Sequence, residues 1–335
     1  MVLRHPKLEL KGPVVRPTGE ELFEWALYYL SREVVGTGSK HTERAKVNDL
    51  RLFLGFLKER FETPLVQYWT RAVTSEFVNR ASEVYAVSTV NRVLATLSGF
   101  AQFLEKSGLI SYEENPVRKV RGPKREPLQP RGVRAENFRT GELVEAGEAV
   151  FEKMLRTALE IKDRFRLRNA AVIGLLYHTG MRVEELTSLK FSQLDLPIDG
   201  ETGWIRDVKC KGHKIRNVFL NKEARKLLVS YLESPENPKG PYVFCSKSKK
   251  RLHQSDVWRI VNRIATLTAQ KFYPQGTVIK VHPHSFRHER AYNLLRKTNM
   301  GDSFVAEQLG HSSPNYVARY TKRTEQEIAR ILKDI

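Results

Sequence analysis

Prolines stand at 116, 123, 127 and 130 of this chain. Each fixes its own φ and lacks the amide hydrogen that a helix interior needs, so no helix can run through this stretch. The chain is thereby divided into a part before and a part after. At 335 residues it exceeds the usual size of a single domain, and each part can bury a core of its own. From Pro116 to Ala135 the residues Arg118, Lys119, Arg121, Lys124, Arg125, Arg131 and Arg134 face one acid, Glu126. We read residues 116–135 as an extended basic linker able to follow a phosphate backbone. The expected organisation is a loose arm over 1–17, a helical domain over 18–115, the linker, and a second domain over 136–335.

Apolar residues recur at helical spacing in the first part. Val47, Leu50, Phe53, Leu54, Leu57 and Phe61 form one stripe, and Val90, Val93, Leu94, Leu97, Ala101 and Leu104 another. With further helices near 19–33 and 74–86, a small bundle is predicted. Ser88 is placed as the N-cap of the second striped helix and Gly108 as its stop. Beyond 140 the pattern predicts helices over 140–157 and 164–178, a short one from Met181, then 221–233, 253–270, 285–297 and 302–309. Between them, Trp204 to Val208 and Arg216 to Leu220 flank a Lys/Gly-rich tip and read as a β-hairpin. The fold class is therefore mainly α, with two domains and a small antiparallel sheet in the second. At the C-terminus, Thr324-Glu325-Gln326-Glu327 reads as a capping box. Ile328, Ile331, Leu332 and Ile335 then form a narrow apolar stripe, predicting a helix over 324–335.

Lys and Arg number 57 against 38 Asp and Glu, a formal net charge of +19. Such an excess calls for a polyanionic partner, nucleic acid first. Cys210 and Cys245 are the only cysteines, too few for a disulfide framework or a four-thiolate zinc site. No apolar run approaches ~18 residues, so no membrane-spanning helix is expected, and the cytoplasm is the expected compartment.

Four places in the second part set a phosphate-handling residue beside a turn. In Thr179-Gly180-Met181-Arg182-Val183-Glu184-Glu185, Gly180 ends one helix and the next begins at once, so Arg182 sits where free N–H groups favour an anion. Lys209-Cys210-Lys211-Gly212-His213-Lys214 makes a positive hairpin tip. In His282-Pro283-His284-Ser285-Phe286-Arg287-His288, residues 284, 287 and 288 share a helix face. Three histidines so close raise the idea of zinc, but no carboxylate or thiolate stands at a supporting spacing and Arg287 and Arg296 lie nearby, so no metal is expected. In the segment from Leu309 to Tyr320, Gly310 closes one helix and Ser313-Pro314 opens another that carries Tyr320. Together these define one chemistry. Two arginines hold the non-bridging oxygens of a phosphodiester, a tyrosine attacks it, a lysine protonates the leaving 5′ oxygen, and a histidine relays the tyrosine proton. Arginines there do the work of a metal, and no cofactor is needed.

At these residues the sequence resembles the tyrosine recombinase, or phage-integrase, family. Thr-Gly-Met-Arg-Val-Glu-Glu-Leu resembles the family's first box, which implies Arg182 as a catalytic arginine and Glu185 as its supporting acid. Lys-Gly-His-Lys-Ile-Arg resembles the hairpin pattern and implies Lys211 as the catalytic lysine, with Lys209 and Lys214 as competitors. Pro-His-Ser-Phe-Arg-His resembles the second box and implies His284 and Arg287. Leu-Gly-His-Ser implies His311, and the family spacing selects Tyr320 over Tyr316. Phe219 departs from the proline often found after the hairpin. The resemblance further implies a two-domain clamp around duplex DNA, with an N-terminal core-binding bundle and a C-terminal catalytic domain. It implies a homotetramer on double-stranded recombination sites, assembled from monomers, that exchanges strands through a Holliday junction. Arg118, Lys119, Arg121, Lys124 and Arg125 are the expected linker contacts to DNA. A DNA-relaxing enzyme of the type IB topoisomerase kind and an idle DNA-binding regulator stand as alternatives.

Overall fold

The computed structural model describes residues 8, 14–36, 40–124, 132–198, 200–210, 214–298 and 301–310. The chain divides into two compact units, Met1–Pro127 and Leu128–Ile335.

The first unit contains four α-helices among its described residues: α1 (Leu22–Tyr29, continued by a π turn over Leu30–Val34), α2 (Lys40–Arg60), α3 (Arg71–Val84) and α4 (Val87–Lys106). The two striped helices are α2 and α4, and their apolar faces meet in one core. Aromatic rings dominate its centre: Phe53 lies 5.0 Å from Trp69 and 5.2 Å from Phe77, and Trp69 stacks on Phe100 at 5.4 Å. Thr70 caps α3 by accepting from the Val73 amide. The start of α4 differs from expectation. Its N-cap is Ala86, with no side-chain cap, and Ser88 already lies in the first turn. Gly108 follows the helix end in the left-handed region, φ 78°.

The basic segment is also less extended than its prolines imply. Val117 is buried in the core of the first unit, and the Asn115 side chain accepts from the Val117 and Arg118 amides. The Arg118 guanidinium lies over the Tyr112 ring and 3.7 Å from Glu105. Asn91 donates to the Pro123 carbonyl at 3.0 Å. Prolines forbid a helix, but they do not forbid a string of turns laid against a bundle.

The second unit holds two three-stranded antiparallel sheets and seven further α-helices among its described residues. One sheet, in the order β2-β1-β6, joins β1 (Arg134–Asn137), β2 (Leu143–Ala146) and β6 (Thr277–Lys280). It was not anticipated, and it corrects the helix expected over 140–157, which is instead α5 (Glu148–Glu160). The cause is local: the Asn137 carboxamide accepts from the Arg139 and Thr140 amides, folding the chain back before a helix can start. The other sheet, in the order β3-β4-β5, joins β3 (Leu194–Asp195), β4 (Gly203–Lys209) and β5 (Ile215–Leu220), so the expected hairpin is present with a short third strand beside it. A bulge interrupts β4 between Ile205 and Val208, where Asp207 takes φ 51°.

The helices after α5 are α6 (Arg166–Thr179), α7 (Val183–Thr187), α8 (Lys222–Glu233), α9 (Gln254–Phe272), α10 (Pro283–Thr298) and α11 (Asp302–Leu309). Helix α6 is apolar nearly all round and is buried from Asn169 to Tyr177, the mark of a central helix. Around it pack α5, α8, α9 and α10. Its C-terminal end therefore opens at a place fixed by the whole core of the unit. No helix among the described residues is long and apolar enough to cross a membrane.

Candidate active site

Helix α6 stops at Gly180, whose left-handed backbone (φ 64°, ψ 21°) turns the chain sharply. A Cβ there would meet the Leu309 side chain at 2.7 Å and Arg290 Cγ at 3.1 Å, so with this backbone a larger residue would be strained. Two residues later Arg182 is the N-cap of α7, one position earlier than a first-turn residue. Glu185 reaches back to it twice: the carboxylate accepts from the Arg182 amide at 2.9 Å and from the Arg182 guanidinium at 2.8 Å. It also accepts from Arg216 on β5 at 2.9 Å. Glu185 is only 2% exposed. Burial alone would raise its pKa, but the Arg216 charge and the hydrogen bonds and charge of Arg182 outweigh it and hold the carboxyl below its usual range.

Arg287, on the first turns of α10, is 1% exposed and among the largest fully buried side chains. A buried guanidinium must be hydrogen-bonded. It donates to the Gly180 carbonyl at 2.8 Å and to the Leu309 carbonyl, the ends of α6 and α11. Helix C-termini leave such carbonyls unpaired and carry partial negative charge, so a cation is favoured there. The same C-terminus takes the two other arginines. Arg216 donates to the Gln308 carbonyl, and Arg182 donates to the Gly310 carbonyl at 3.3 Å. Three successive carbonyls, 308, 309 and 310, thus receive Arg216, Arg287 and Arg182. Gly310 itself is left-handed, φ 62°, and a Cβ on it would lie 3.2 Å from both Arg216 Cδ and Cys210 Sγ.

His284 stands one turn before Arg287 on α10, with its ring 4.5 Å from that of His288. By surface area it is exposed, with the His288 ring against one side. Lost hydration, then the charges of Arg287, His282 and Arg182, push its pKa down to about 4. A pKa so far down leaves the imidazole neutral at pH 7.

Arg182, Glu185 and Arg287 are therefore brought together, with His284 beside them. Lys211, His311, Tyr316 and Tyr320 lie outside the described residues, as do the predicted capping box and stripe over 324–335. The competing lysines Lys209 and Lys214 are exposed and flank residues 211–213. Of the linker bases, Arg118, Lys119, Arg121 and Lys124 belong to the first unit and Arg125 is outside the described residues. Among the described residues no cluster of His, Cys, Asp and Glu is placed to hold a metal ion. Arg216 was not singled out from sequence. Its signal was present: on β5 it alternates with the buried Val218 and Leu220, a cation on the inward face of a strand.

The model of the phage integrase family matches residues 148–327, more than half of the chain. The chain belongs to the phage integrase family. Residues 27–108 match the N-terminal SAM-like domain of phage integrases. Among curated relatives, a tyrosine recombinase XerC of Lactobacillus delbrueckii subsp. bulgaricus is 29% identical over 316 residues, covering 92% of this chain and 96% of the relative. A tyrosine recombinase XerC of Thermodesulfovibrio yellowstonii is 31% identical over 299 residues, covering 84% and 86%. Among solved structures, the XerH site-specific recombinase bound to palindromic difH substrate in a post-cleavage complex shares the fold, with a TM-score of 0.70 at 21% identity, covering 92% and 88%. A lambda integrase dimer bound to a COC′ core site gives a TM-score of 0.64 at 16% identity, covering 90% and 77%. As a phage-integrase family member and tyrosine recombinase, the chain is a DNA recombinase enzyme of mainly helical, two-domain build.

Proposed function

We propose that this recombinase cuts and rejoins duplex DNA at specific sites by way of a 3′-phosphotyrosine on Tyr320, with strands exchanged through a Holliday junction. The observation that carries this reading is the convergence of Arg182 and Arg287 on the adjoining ends of α6 and α11. Arg182, 27% exposed, can reach a non-bridging oxygen of a phosphodiester, and the buried Arg287 behind it adds positive charge that stabilises what develops during attack. The Tyr320 oxygen bonds to phosphorus, the bond to the 5′ oxygen breaks, and Lys211 gives that oxygen its proton. His311 takes the tyrosine proton. His284, neutral at pH 7, offers a hydrogen bond to the phosphate without adding charge. Rejoining is the same path run backwards with a new 5′ hydroxyl, so neither metal nor ATP is required.

The XerH and lambda integrase structures hold DNA substrates. By analogy, double-stranded recombination sites are the partner here, the first unit binds the core site and the second cuts it. Monomers free in the cytoplasm assemble as a homotetramer on two sites. The described Arg118 is engaged by Glu105 and Tyr112, so Lys119, Arg121, Lys124 and Arg125 carry most of the linker's contact with phosphate.

Incubating the protein with a library of flanking genomic duplexes, then sequencing the DNA covalently trapped on it, finds the site and tests the chemistry. Tyr320→Phe is expected to bind the recovered duplex and form no adduct, while Tyr316→Phe still cleaves; the reverse pattern overturns the assignment. Adduct formation is expected to persist in EDTA, and its loss there with recovery on adding magnesium or zinc rejects arginine-only catalysis. Relaxation of a one-site plasmid without recombination of a two-site plasmid would mark a topoisomerase instead.

A further inference from the structure

Lys211 falls between β4 and β5 in the sequence, and a connection between strands is a poor place for a group that must meet one oxygen atom. Something must fix the blade of the hairpin relative to the arginines. Arg216 meets that need. Its side chain, 9% exposed, is anchored at both ends of its guanidinium: Nη2 donates to Glu185 at 2.9 Å, and Nη1 donates to the Gln308 carbonyl. Glu185 in turn grips Arg182 at 2.8 Å, so one carboxylate couples the hairpin to the phosphate-holding arginine. The Gln308 carbonyl belongs to the last turn of α11, two residues before Gly310 and next to the carbonyls that hold Arg287 and Arg182. The tip end of the blade lies against that turn, since a Cβ on Gly310 would lie 3.2 Å from both Cys210 Sγ and Arg216 Cδ.

We propose that Arg216 is a positioning residue that sets the lysine-bearing hairpin in register with Arg182, through their shared carboxylate Glu185, and with the turn after α11, through the Gln308 carbonyl. It touches no reacting atom. Its effect is on where the proton donor of the hairpin stands when the 5′ oxygen leaves. A lysine could hold one of the two anchors but not both, because an ammonium is a point charge while the planar guanidinium presents donors at fixed separation. This inference rests on the reading of Lys211 as general acid.

The test compares cleavage of the recovered duplex with cleavage of the same duplex carrying sulfur in place of the bridging 5′ oxygen. A thiolate leaves without protonation, its conjugate acid having a pKa of about 8.5. Arg216→Met is expected to form adduct on ordinary DNA on the order of 100-fold more slowly, the scale of loss when a catalytic group is misplaced by about 1 Å. On the sulfur duplex it is expected to approach the wild-type rate, with Arg216→Lys intermediate on the oxygen duplex. The ratio of the two rates within one preparation does not depend on how much of a variant is folded, so a poorly folding Arg216→Met still reports. Equal slowing on both duplexes, or no slowing on either, overturns the inference while leaving the cleavage reading in place. A Lys211→Ala variant that sulfur does not rescue overturns the general-acid reading, and this inference with it.

Discussion

Each unit of this recombinase buries a carboxylate against an arginine, and the two pairs behave in opposite ways. In the first unit Asp49 on α2, 2% exposed, takes Arg92 and the Thr96 hydroxyl from α4. Burial is the larger influence there and raises its pKa despite those partners. In the second unit Glu185 is equally buried, yet its pKa is lowered because two guanidiniums and a backbone amide converge on it. The first pair is a charge tolerated at the edge of an aromatic core, with the Arg92 side chain 47% exposed. The second pair is built into the interior beside a fully buried Arg287. A unit whose stability comes from apolar packing can lose a charge cheaply, whereas a unit organised around guanidiniums cannot.

The largest expected effect falls on the first unit's packing. Phe53→Ala is expected to cost about 3–5 kcal/mol, as deletion of a buried aromatic ring does. Denaturant unfolding followed through the tryptophans of α1 and the Trp69 turn measures it. Adduct formation per folded molecule should stay unchanged, and a fall in that rate would break the division between a packing unit and a charge unit.

Arg182→Ala comes next. Adduct formation is expected to fall about 100- to 1000-fold, the usual loss for one oxyanion-stabilising donor. Bridging sulfur is not expected to restore it, because the lost task is holding non-bridging oxygens. Recovery on the sulfur duplex would move Arg182 to the leaving-group side.

Acid separates the two carboxylates. Glu185, with its pKa lowered on folding, stabilises the second unit fully above the ordinary carboxylate pKa, and that contribution is lost as pH falls through its folded value. Asp49, with its pKa raised, works the other way: the first unit gains relative stability as pH falls through the folded value towards the unfolded one. Glu289, also raised by burial, opposes Glu185 within the second unit. Amide exchange below pH 4.3, the ordinary Glu value of about that size, should show α6 and α7 losing protection before α2 and α4. Glu185→Gln should remove that difference at a cost of about 1.5–3 kcal/mol at pH 7. Loss of protection in both units together would mean that the carboxylates are not what distinguishes them.

The smallest effect concerns salt. Each of Lys119, Arg121 and Lys124 replaced by Ala is expected to reduce the log–log salt slope of DNA binding by about 0.9. Arg118→Ala should leave the slope nearly unchanged, because its guanidinium already serves Tyr112 and Glu105. A full-sized change at Arg118 would show that DNA takes it from those partners.

What could be read from sequence follows the range of the interactions concerned. Helices α6, α8, α9 and α11 and the β4–β5 hairpin were legible because periodicity and turn residues act locally. The start of α4 was misplaced by two residues, since Ser88 looked like a cap while the chain turned at Ala86. Strands β1 and β6 were missed because their pairing, Arg134 with Lys280, spans much of the second unit. In the site, the Arg182–Glu185 pair was legible at a spacing of three residues. The three carbonyls at the end of α11 were not. They join Arg182 to Gly310 across 128 positions and Arg216 to Gln308 across 92, distances over which no local pattern speaks. Burial of Arg287 was likewise invisible, because a cation inside a protein is legible only once its acceptors are known.

The bulge in β4 has a consequence for how the hairpin can change by insertion or deletion. Ile205 faces Val218 and Val208 faces Arg216, so two residues of β4, Arg206 and Asp207, stand opposite Asn217 alone. The Asp207 amide donates to the Asn217 carboxamide, and Gln193 donates to the Arg206 and Asp207 carbonyls, which pins the extra residue in place. Because side chains alternate along a strand, the bulge is what keeps Val208 on the same face as Ile205 although three positions separate them. Straightening the strand with both residues kept would turn Val208 and Cys210 outward and Lys209 inward, presenting the reverse side of the blade to Gly310. Deleting one of the two residues would instead leave a continuous ladder with Val208 still opposite Arg216. The blade therefore survives a lost residue at the bulge, but not loss of the Gln193 and Asn217 hydrogen bonds that keep the bulge from straightening.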